Sequence, residues 1–312
     1  MWKWGFLIRI LYVSSHKYGK TVVDVLPFHM RSPLSTLNTS YHNFIPNQYL
    51  EKTTYHTWVD DKSLDVDMYK NIKTIQKNDY WKVLCDHPEN CVLQNANQMD
   101  EIYYSNPPAA NLQTTFLYGT VSNHDIHTDA PFWFRDIYFY RVIIGLTENN
   151  ENVITRFPYT DEDVKIQKYE YIAFDYSRTP HQVVTINNRS NSRILLKLHF
   201  LVCDNCTYSQ DQIDWISKSF VGYNYAMRLF TNAGIDPKTF DEFYIGLLCE
   251  LFYRHRILCC LFWNINVLAF IEQIWYSTYT KNRYLHLAII AHVVYLFVVM
   301  YFTVVHRYYL HP

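Results

Sequence analysis

The chain has 312 residues, with 28 lysines and arginines against 29 aspartates and glutamates, so its formal net charge is -1. This balance excludes a partner held mainly by charge, such as nucleic acid. Hydrophobic residues make up 49% of the chain and charged residues 18%. Such a chain has enough apolar surface to bury a core, which excludes intrinsic disorder.

Residues 1–110 predict a mixed N-terminal region that flanks the main domain and shows no clear period of helix or strand. Its first residues, MWKWGFLIRILYVSS, do not fit a signal peptide, because Arg9 interrupts the apolar run and no small-residue cleavage site follows. Pro107 and Pro108 mark the predicted boundary at the end of the region. Without a signal peptide, the main domain is expected to lie in the cytosol.

Residues 111–206 predict an all-β domain. Runs rich in β-branched and aromatic residues follow one another there, and turn sequences such as Glu148-Asn149-Asn150 separate them. The predicted strands are residues 112–121, 137–146, 152–157, 169–176, 181–186 and 193–202. Short strands at this spacing are typical of an antiparallel sandwich or barrel.

A candidate metal site lies within these strands. His127 and Asp129 are two residues apart, so on a strand their side chains point to the same face. His181 opens a later strand, and two histidines with one carboxylate form the facial triad of non-haem Fe(II) oxygenases. Arg193 begins the next strand, where antiparallel pairing could bring its guanidinium close enough to bind a carboxylate through two hydrogen bonds. His124 is the alternative first ligand, although it cannot share a strand face with Asp129.

The stretch from His127 to Cys203 resembles the 2-oxoglutarate- and Fe(II)-dependent oxygenases, and within them the aspartyl/asparaginyl β-hydroxylase branch. The resemblance is carried by IHTDAP, by YRVIIGL at 140–146 and by YIAFDYSRTPHQVVTINNRSNSRILLKLHF at 171–200. It implies a mainly β fold, the double-stranded β-helix (a jelly-roll of cupin-like type), with flanking helices. It also implies Fe(II) as the metal and 2-oxoglutarate and O₂ as co-substrates.

The resemblance implies roles for individual residues as well. The three candidate ligands would bind Fe(II), and Arg193 would pair with the distal carboxylate of 2-oxoglutarate. Asp129 supplies a carboxylate that animal members of the branch often lack, and Ile143 stands where the branch has a histidine that contacts the co-substrate. Arg141 matches the arginine of that strand and is expected to contact the co-substrate instead. His199, on the final strand, is predicted to be structural.

The cysteines predict reduced, mostly structural thiols. There are seven, and Cys203 and Cys206 form a lone C-x-x-C motif. A four-thiolate zinc site, the alternative, would need a second pair, and Cys85 and Cys91 do not have the required spacing.

Residues 207–250 predict an amphipathic helical region. Apolar residues recur there at alternating intervals of three and four, which is the helical period: Ile213, Ile216, Phe220, Tyr223, Met227 and Phe230. Ser209 is the predicted cap at the start of the helix, and Gly234 is its predicted end.

Residues 257–305 predict a membrane anchor of one or two transmembrane helices. The run 285–305 has no Asp, Glu, Lys or Arg, and a helix of this length crosses a hydrocarbon layer of about 30 Å. Residues 257–276 are a weaker candidate, because they contain Asn264, Asn266 and Glu272.

Together these features favour a membrane-anchored 2-oxoglutarate- and Fe(II)-dependent dioxygenase that hydroxylates a protein Asp or Asn side chain or a lipid acyl chain. Its partners would be the lipid bilayer and the substrate. The alternative is a catalytically silent β-barrel that serves as a membrane-bound binding or structural protein. A third hypothesis, a membrane di-iron hydroxylase, would use four histidines that do not form the usual clusters, namely His286, His292, His306 and His311.

Overall fold

The computed structural model describes residues 20–46, 54–105, 128–130, 134, 136–148, 153–185, 192–235 and 239–240. Within these ranges the strands are β1 (Val22–Val25), β2 (Thr54–Trp58), β3 (Cys91–Asn95), β4 (Glu101–Ser105), β5 (Ile137–Gly145), β6 (Val153–Phe157), β7 (Glu162–Val164), β8 (Glu170–Asp175), β9 (Gln182–Thr185) and β10 (Arg193–Asp204). The α-helices are α1 (Phe28–Leu34), α2 (Leu37–Phe44), α3 (Val66–Gln76) and α4 (Gln210–Ile235).

The strands form two antiparallel sheets. The larger has the order β1-β8-β5-β10-β4-β2, with β3 paired to the second half of β10. The smaller has the order β7-β6-β9. This mainly β architecture with flanking helices agrees with a jelly-roll, and β5, β6, β8, β9 and β10 confirm five of the predicted strands. The predicted strand at 112–121 lies outside the described residues.

The N-terminal region, for which the sequence predicted no distinct elements, adds strands to the same sheet. In the described part, β1 pairs with β8, while β3 and β4 pair with β10. Helices α1, α2 and α3 cover the outer face of this sheet and share one apolar core with it, in which Trp81 and Tyr41 are fully buried. These contacts join the N-terminal region to the central strands.

Helix α4 confirms the amphipathic prediction after the last strand. The Ser209 hydroxyl accepts from the Gln212 backbone N–H at 3.4 Å, and the Gln212 side chain accepts from the Ser209 N–H at 2.9 Å. This reciprocal pair is a capping box. Ile213, Ile216 and Phe220 are buried against the sheet. No helix in the described ranges is long and apolar enough to span a membrane, and the predicted anchor at 257–305 lies outside them.

Successive side chains of β5 and β10 point to opposite faces of the sheet, and these are an outer apolar face and an inner face that carries charge. The outer face of β10 joins the core under the helices through Ile194, Leu196, Leu198, Phe200 and Val202. Arg193, Lys197 and His199 take the alternate positions and point to the inner face. Arg141 of β5 lies directly opposite His199 in the sheet register, so it shares that face.

The prediction of reduced thiols is wrong for four cysteines. Disulfides join Cys85 to Cys91 and Cys203 to Cys206. The pairing of β3 with β10 places Cys91 opposite Asp204, and a turn with Asn205 at φ 48° brings Cys206 back towards Cys203. Cys85, Cys91 and Asp204 cluster tightly, but disulfide sulfurs are not thiolates, so the predicted zinc alternative finds no ligands here.

Loss of the Cys85–Cys91 disulfide is expected to destabilise the fold. A Cys85→Ser/Cys91→Ser variant should unfold with a free energy lower by about 2 kcal/mol, because the unfolded chain gains the freedom of the opened loop. Chemical denaturation of variant and wild type measures the difference. Reductant should then lower the wild-type midpoint further than that of the variant. A wild-type midpoint that reductant leaves unchanged would show that these thiols are not paired.

Candidate metal centre

Asp129 and His181 lie together in the structure, as the facial-triad prediction requires. The Oδ2 atom of Asp129 is 3.5 Å from Nε2 of His181, and the side chains are 13% and 5% exposed. The Asp129 N–H donates to the carbonyl of Tyr176 at 3.0 Å, which fixes Asp129 beside the end of β8. A carboxylate oxygen and an imidazole nitrogen at this separation could ligate one metal ion. His127 and its alternative His124 lie outside the described residues.

His181 is held in the tautomer that suits a metal ligand. Its Nδ1 atom is 3.1 Å from the carbonyl oxygen of Thr179. Because a carbonyl only accepts, Nδ1 carries the proton of the neutral imidazole, which leaves the lone pair on Nε2, on the side of Asp129. The Phe174 ring lies 4.5 Å from the imidazole between ring centres. The hydrogen bond between Nδ1 and the Thr179 carbonyl orients the ring, as such bonds do for most histidines that bind a metal.

Arg141, which was predicted to contact the co-substrate, forms an ion pair with Asp129, a candidate metal ligand. One terminal nitrogen donates to Oδ2 of Asp129 at 2.8 Å, and Nε donates to Nε2 of His199 at 3.1 Å. The guanidinium also stacks over the Tyr176 ring, 4.6 Å from its centre. Burial acts to lower the pKa of Arg141, but Asp129, Tyr176 and Glu101 together more than offset it and raise the pKa above its ordinary value. Arg141 therefore remains a cation.

His199, predicted to be structural, connects Arg141 to a buried carboxyl group. Its Nδ1 atom lies 3.2 Å from Oδ1 of Asp100, and its backbone N–H donates to the same oxygen at 2.7 Å. The side-chain amides of Gln76 and Asn95 donate to Oδ2 of Asp100. Both Asp100 and His199 are fully buried. No sequence motif indicates Asp100, because it meets His199 only through the pairing of distant segments.

Arg193 is a buried guanidinium with nothing to neutralise it among the described residues. Its Nε atom has no hydrogen-bond partner, and the residue is only 9% exposed. Burial lowers the pKa of Arg193 to about 10, and the described ionisable group that acts against this is Tyr103. A buried charge without a partner is strongly unfavourable. Such a group fits a site that receives an anionic ligand.

Lys197, the other cation at the start of β10, is already paired. Its Nζ atom lies 2.8 Å from Oε1 of Glu101, which is fully buried. The same ammonium group lies 4.2 Å from the centre of the Tyr103 ring. Because Glu101 neutralises Lys197, Arg193 is the better candidate for binding an acidic ligand.

Two buried carboxyl groups make the stability of the fold depend on pH. Burial raises the pKa of Asp100 to about 8 and that of Asp175 to about 6. Both exceed the value of roughly 3.9 in an unfolded chain, so the unfolded state loses its protons first as pH rises.

We therefore expect the free energy of unfolding to fall by several kcal/mol between about pH 4 and pH 8, since each unit by which a pKa is raised contributes about 1.4 kcal/mol. Denaturation at a series of pH values measures this slope. An Asp175→Asn variant should make the lower half of the profile less steep, with the slope from Asp100 remaining, and leave the upper half unchanged. A profile that rises with pH in this range would contradict the prediction.

No family model matches the chain, and no curated protein matches it. Among solved structures, it is similar to the viral collagen prolyl hydroxylase of Paramecium bursaria Chlorella virus-1 in complex with 2-oxoglutarate, with 14% identity, coverage of 59% of this chain and 96% of the other, and a TM-score of 0.34.

Two further similar structures come from bacteria. A Pseudomonas putida prolyl-4-hydroxylase has 14% identity, coverage of 59% and 92%, and a TM-score of 0.36. HygX from Streptomyces hygroscopicus, with nickel, 2-oxoglutarate and hygromycin B bound, has 7% identity, coverage of 65% and 88%, and a TM-score of 0.38. At such identities and TM-scores the likenesses assign no function, so the site residues of this chain have to do so.

Proposed function

We propose that the chain is a 2-oxoglutarate- and Fe(II)-dependent dioxygenase that hydroxylates its substrate. The observation that carries the proposal is Arg193, a buried guanidinium on the inner face of β10 that no acidic group among the described residues neutralises. That face also carries His199, which connects through Arg141 to Asp129, the neighbour of His181. A candidate pair of metal ligands and a buried cation suited to a carboxylate both lie within the β-fold, which supports the proposal.

The residues fit the groups that this chemistry requires. Asp129 and His181 would hold Fe(II), with His127 as the predicted third ligand, and Arg193 would bind the distal carboxylate of 2-oxoglutarate. When bound, the iron and co-substrate supply oxidation by O₂, with 2-oxoglutarate converted to succinate and CO₂. The chain's own contribution is to orient the ligands, to neutralise the co-substrate and to exclude water. Phe174 and Phe157, which flank His181, provide an apolar wall for this purpose.

For the substrate we propose a protein Asp or Asn side chain or a lipid acyl chain close to a membrane. The resemblance of residues 127–203 to the aspartyl/asparaginyl β-hydroxylase branch supports the chemistry. The predicted anchor at 257–305 supports the location. The disulfides Cys85–Cys91 and Cys203–Cys206 favour an oxidising compartment over the cytosol for the catalytic domain.

Formation of succinate tests the proposed function. The purified full-length chain is incubated with Fe(II), 2-oxoglutarate and O₂, and succinate is measured with and without candidate peptides and lipids. We expect succinate from the wild type and a loss to background in His181→Ala, because the variant lacks a metal ligand. The silent-barrel alternative predicts neither succinate nor metal-dependent 2-oxoglutarate binding, and that result would overturn the proposal.

A further inference from the structure

A chain of buried hydrogen bonds leads from the candidate metal carboxylate to the body of the fold. Asp129 accepts from Arg141, Arg141 donates to His199, and His199 contacts Asp100. We call these four residues the Asp129–Asp100 network. Members of the network lie up to 99 positions apart in the sequence. The pairing of β5 with β10 and of β4 with β10 brings them together.

The direction of each hydrogen bond in the network is determined by donor chemistry. A guanidinium has only donors, so the Nε2 atom of His199 must accept from Arg141. The remaining proton of a neutral His199 is then on Nδ1, which donates to Oδ1 of Asp100. The backbone N–H of His199 donates to that oxygen as well. His199 therefore has one tautomer and one ring orientation while both neighbours are in place.

Described helices and strands contact the network at several points. Asp100 is bound by Gln76 at the end of α3 and by Asn95 of β3. The Tyr176 ring lies against the Arg141 guanidinium, and its hydroxyl donates to Asn224 of α4 at 3.2 Å. Phe139 and Tyr176 also lie beside the His199 ring. The guanidinium that contacts Asp129 thus has little freedom to move.

We propose that Arg141, His199 and Asp100 are positioning residues that hold the carboxylate of Asp129 in the orientation that the metal requires. This inference rests on the proposed function. It gives Arg141 a role other than contact with the co-substrate. The network acts on Asp129 alone, since His181 has its own support from the Thr179 carbonyl. Outer partners of metal ligands commonly change metal affinity by about 10–100-fold.

Binding of Co(II) to the full-length chain without 2-oxoglutarate tests the network apart from turnover. His199→Phe keeps a ring in the same packing but removes the acceptor for Arg141, and we expect it to weaken Co(II) binding by about 10–100-fold. His199→Gln is the conservative variant, because its amide oxygen can accept from Arg141. We expect its Co(II) affinity to stay within about 3-fold of the wild type.

A matched control separates positioning from loss of packing. Phe139→Leu loosens the same inner cluster, where Phe139 stacks on Phe220 at 4.2 Å between ring centres, but it leaves every hydrogen bond of the network. We expect a lower melting temperature and unchanged Co(II) affinity. If His199→Phe does not fold, Arg141→Lys serves instead, since one ammonium cannot reach both partners and should weaken binding by about 10-fold.

The outcomes distinguish this inference from the proposed function. Wild-type binding with no loss in His199→Phe, or equal loss in Phe139→Leu, would overturn the network and leave the proposed function standing. A wild type that binds no Co(II) would overturn both. Weak binding in His199→Phe that His199→Gln restores would support the network.

Discussion

Replacement of Arg193 by methionine is expected to stabilise the fold and to weaken the use of 2-oxoglutarate. In the described structure this guanidinium is buried, its Nε atom has no partner, and burial lowers its pKa to about 10. Keeping this cation away from water therefore lowers the stability of the folded protein. Methionine has a similar reach without charge, so the free energy of unfolding should rise by about 2 kcal/mol. Activity should fall because the distal carboxylate loses its partner.

The size of the activity loss follows from the strength of a buried, charge-assisted pair. Truncation of one partner in such a pair commonly weakens binding by a few kcal/mol. We therefore expect the KM for 2-oxoglutarate to rise by about 100-fold, while Co(II) affinity without co-substrate stays at the wild-type level. Denaturation, succinate formation and Co(II) titration measure the three quantities.

Arg193→Lys is the matched variant for this prediction. It keeps the charge but has only one nitrogen to offer, so it should retain part of the 2-oxoglutarate affinity and gain no stability. Lys197→Met tests the rival cation on the same strand. Since Glu101 already neutralises Lys197, its loss should destabilise the fold rather than stabilise it. A destabilised Arg193→Met variant with normal KM would mean that Arg193 serves the fold and not the co-substrate.

The parts of the fold that the sequence predicted are those whose signal is local. β5 and β10 are long runs of β-branched and aromatic residues, and α4 has a clean helical period with a capping box, so each can be recognised from its own residues. β2 and β3 are short and mixed in composition, TYHTW and CVLQN. Their strand conformation depends on pairing with β4 and β10, which local propensity does not indicate.

The same distinction holds for the candidate site. The spacing of Asp129 and the position of His181 at the start of a strand carry enough information to predict a metal-ligand pair. The partner of Arg141 depends on the cross-strand register that places it opposite His199. Asp100 lies on a segment where the sequence shows no motif, and only the pairing of β4 with β10 brings it to His199. The sequence therefore indicates the candidate ligands more directly than Arg141, His199 and Asp100, whose contacts depend on pairing between distant segments.

Removal of the Asp129 carboxylate is expected to affect turnover and stability through different partners. Asp129→Ala takes away a predicted iron ligand, so succinate formation should fall by about 1,000-fold or more. It also leaves Arg141 buried without its counterion, because the 2.8 Å ion pair is lost. Breaking a buried pair from one side commonly costs about 3 kcal/mol of stability.

A second substitution separates these two effects. In Asp129→Ala/Arg141→Met no uncompensated charge remains, so most of the lost stability should return, whereas turnover should stay at background because the ligand is still absent. Denaturation and succinate formation on both variants complete the comparison. If Asp129→Ala kept wild-type turnover, the histidines alone would hold the metal. Members of the aspartyl/asparaginyl β-hydroxylase branch that lack this carboxylate would be the model for such a site. The Arg141–Asp129 pair would then serve the fold, and the positioning role of the network would fall with it.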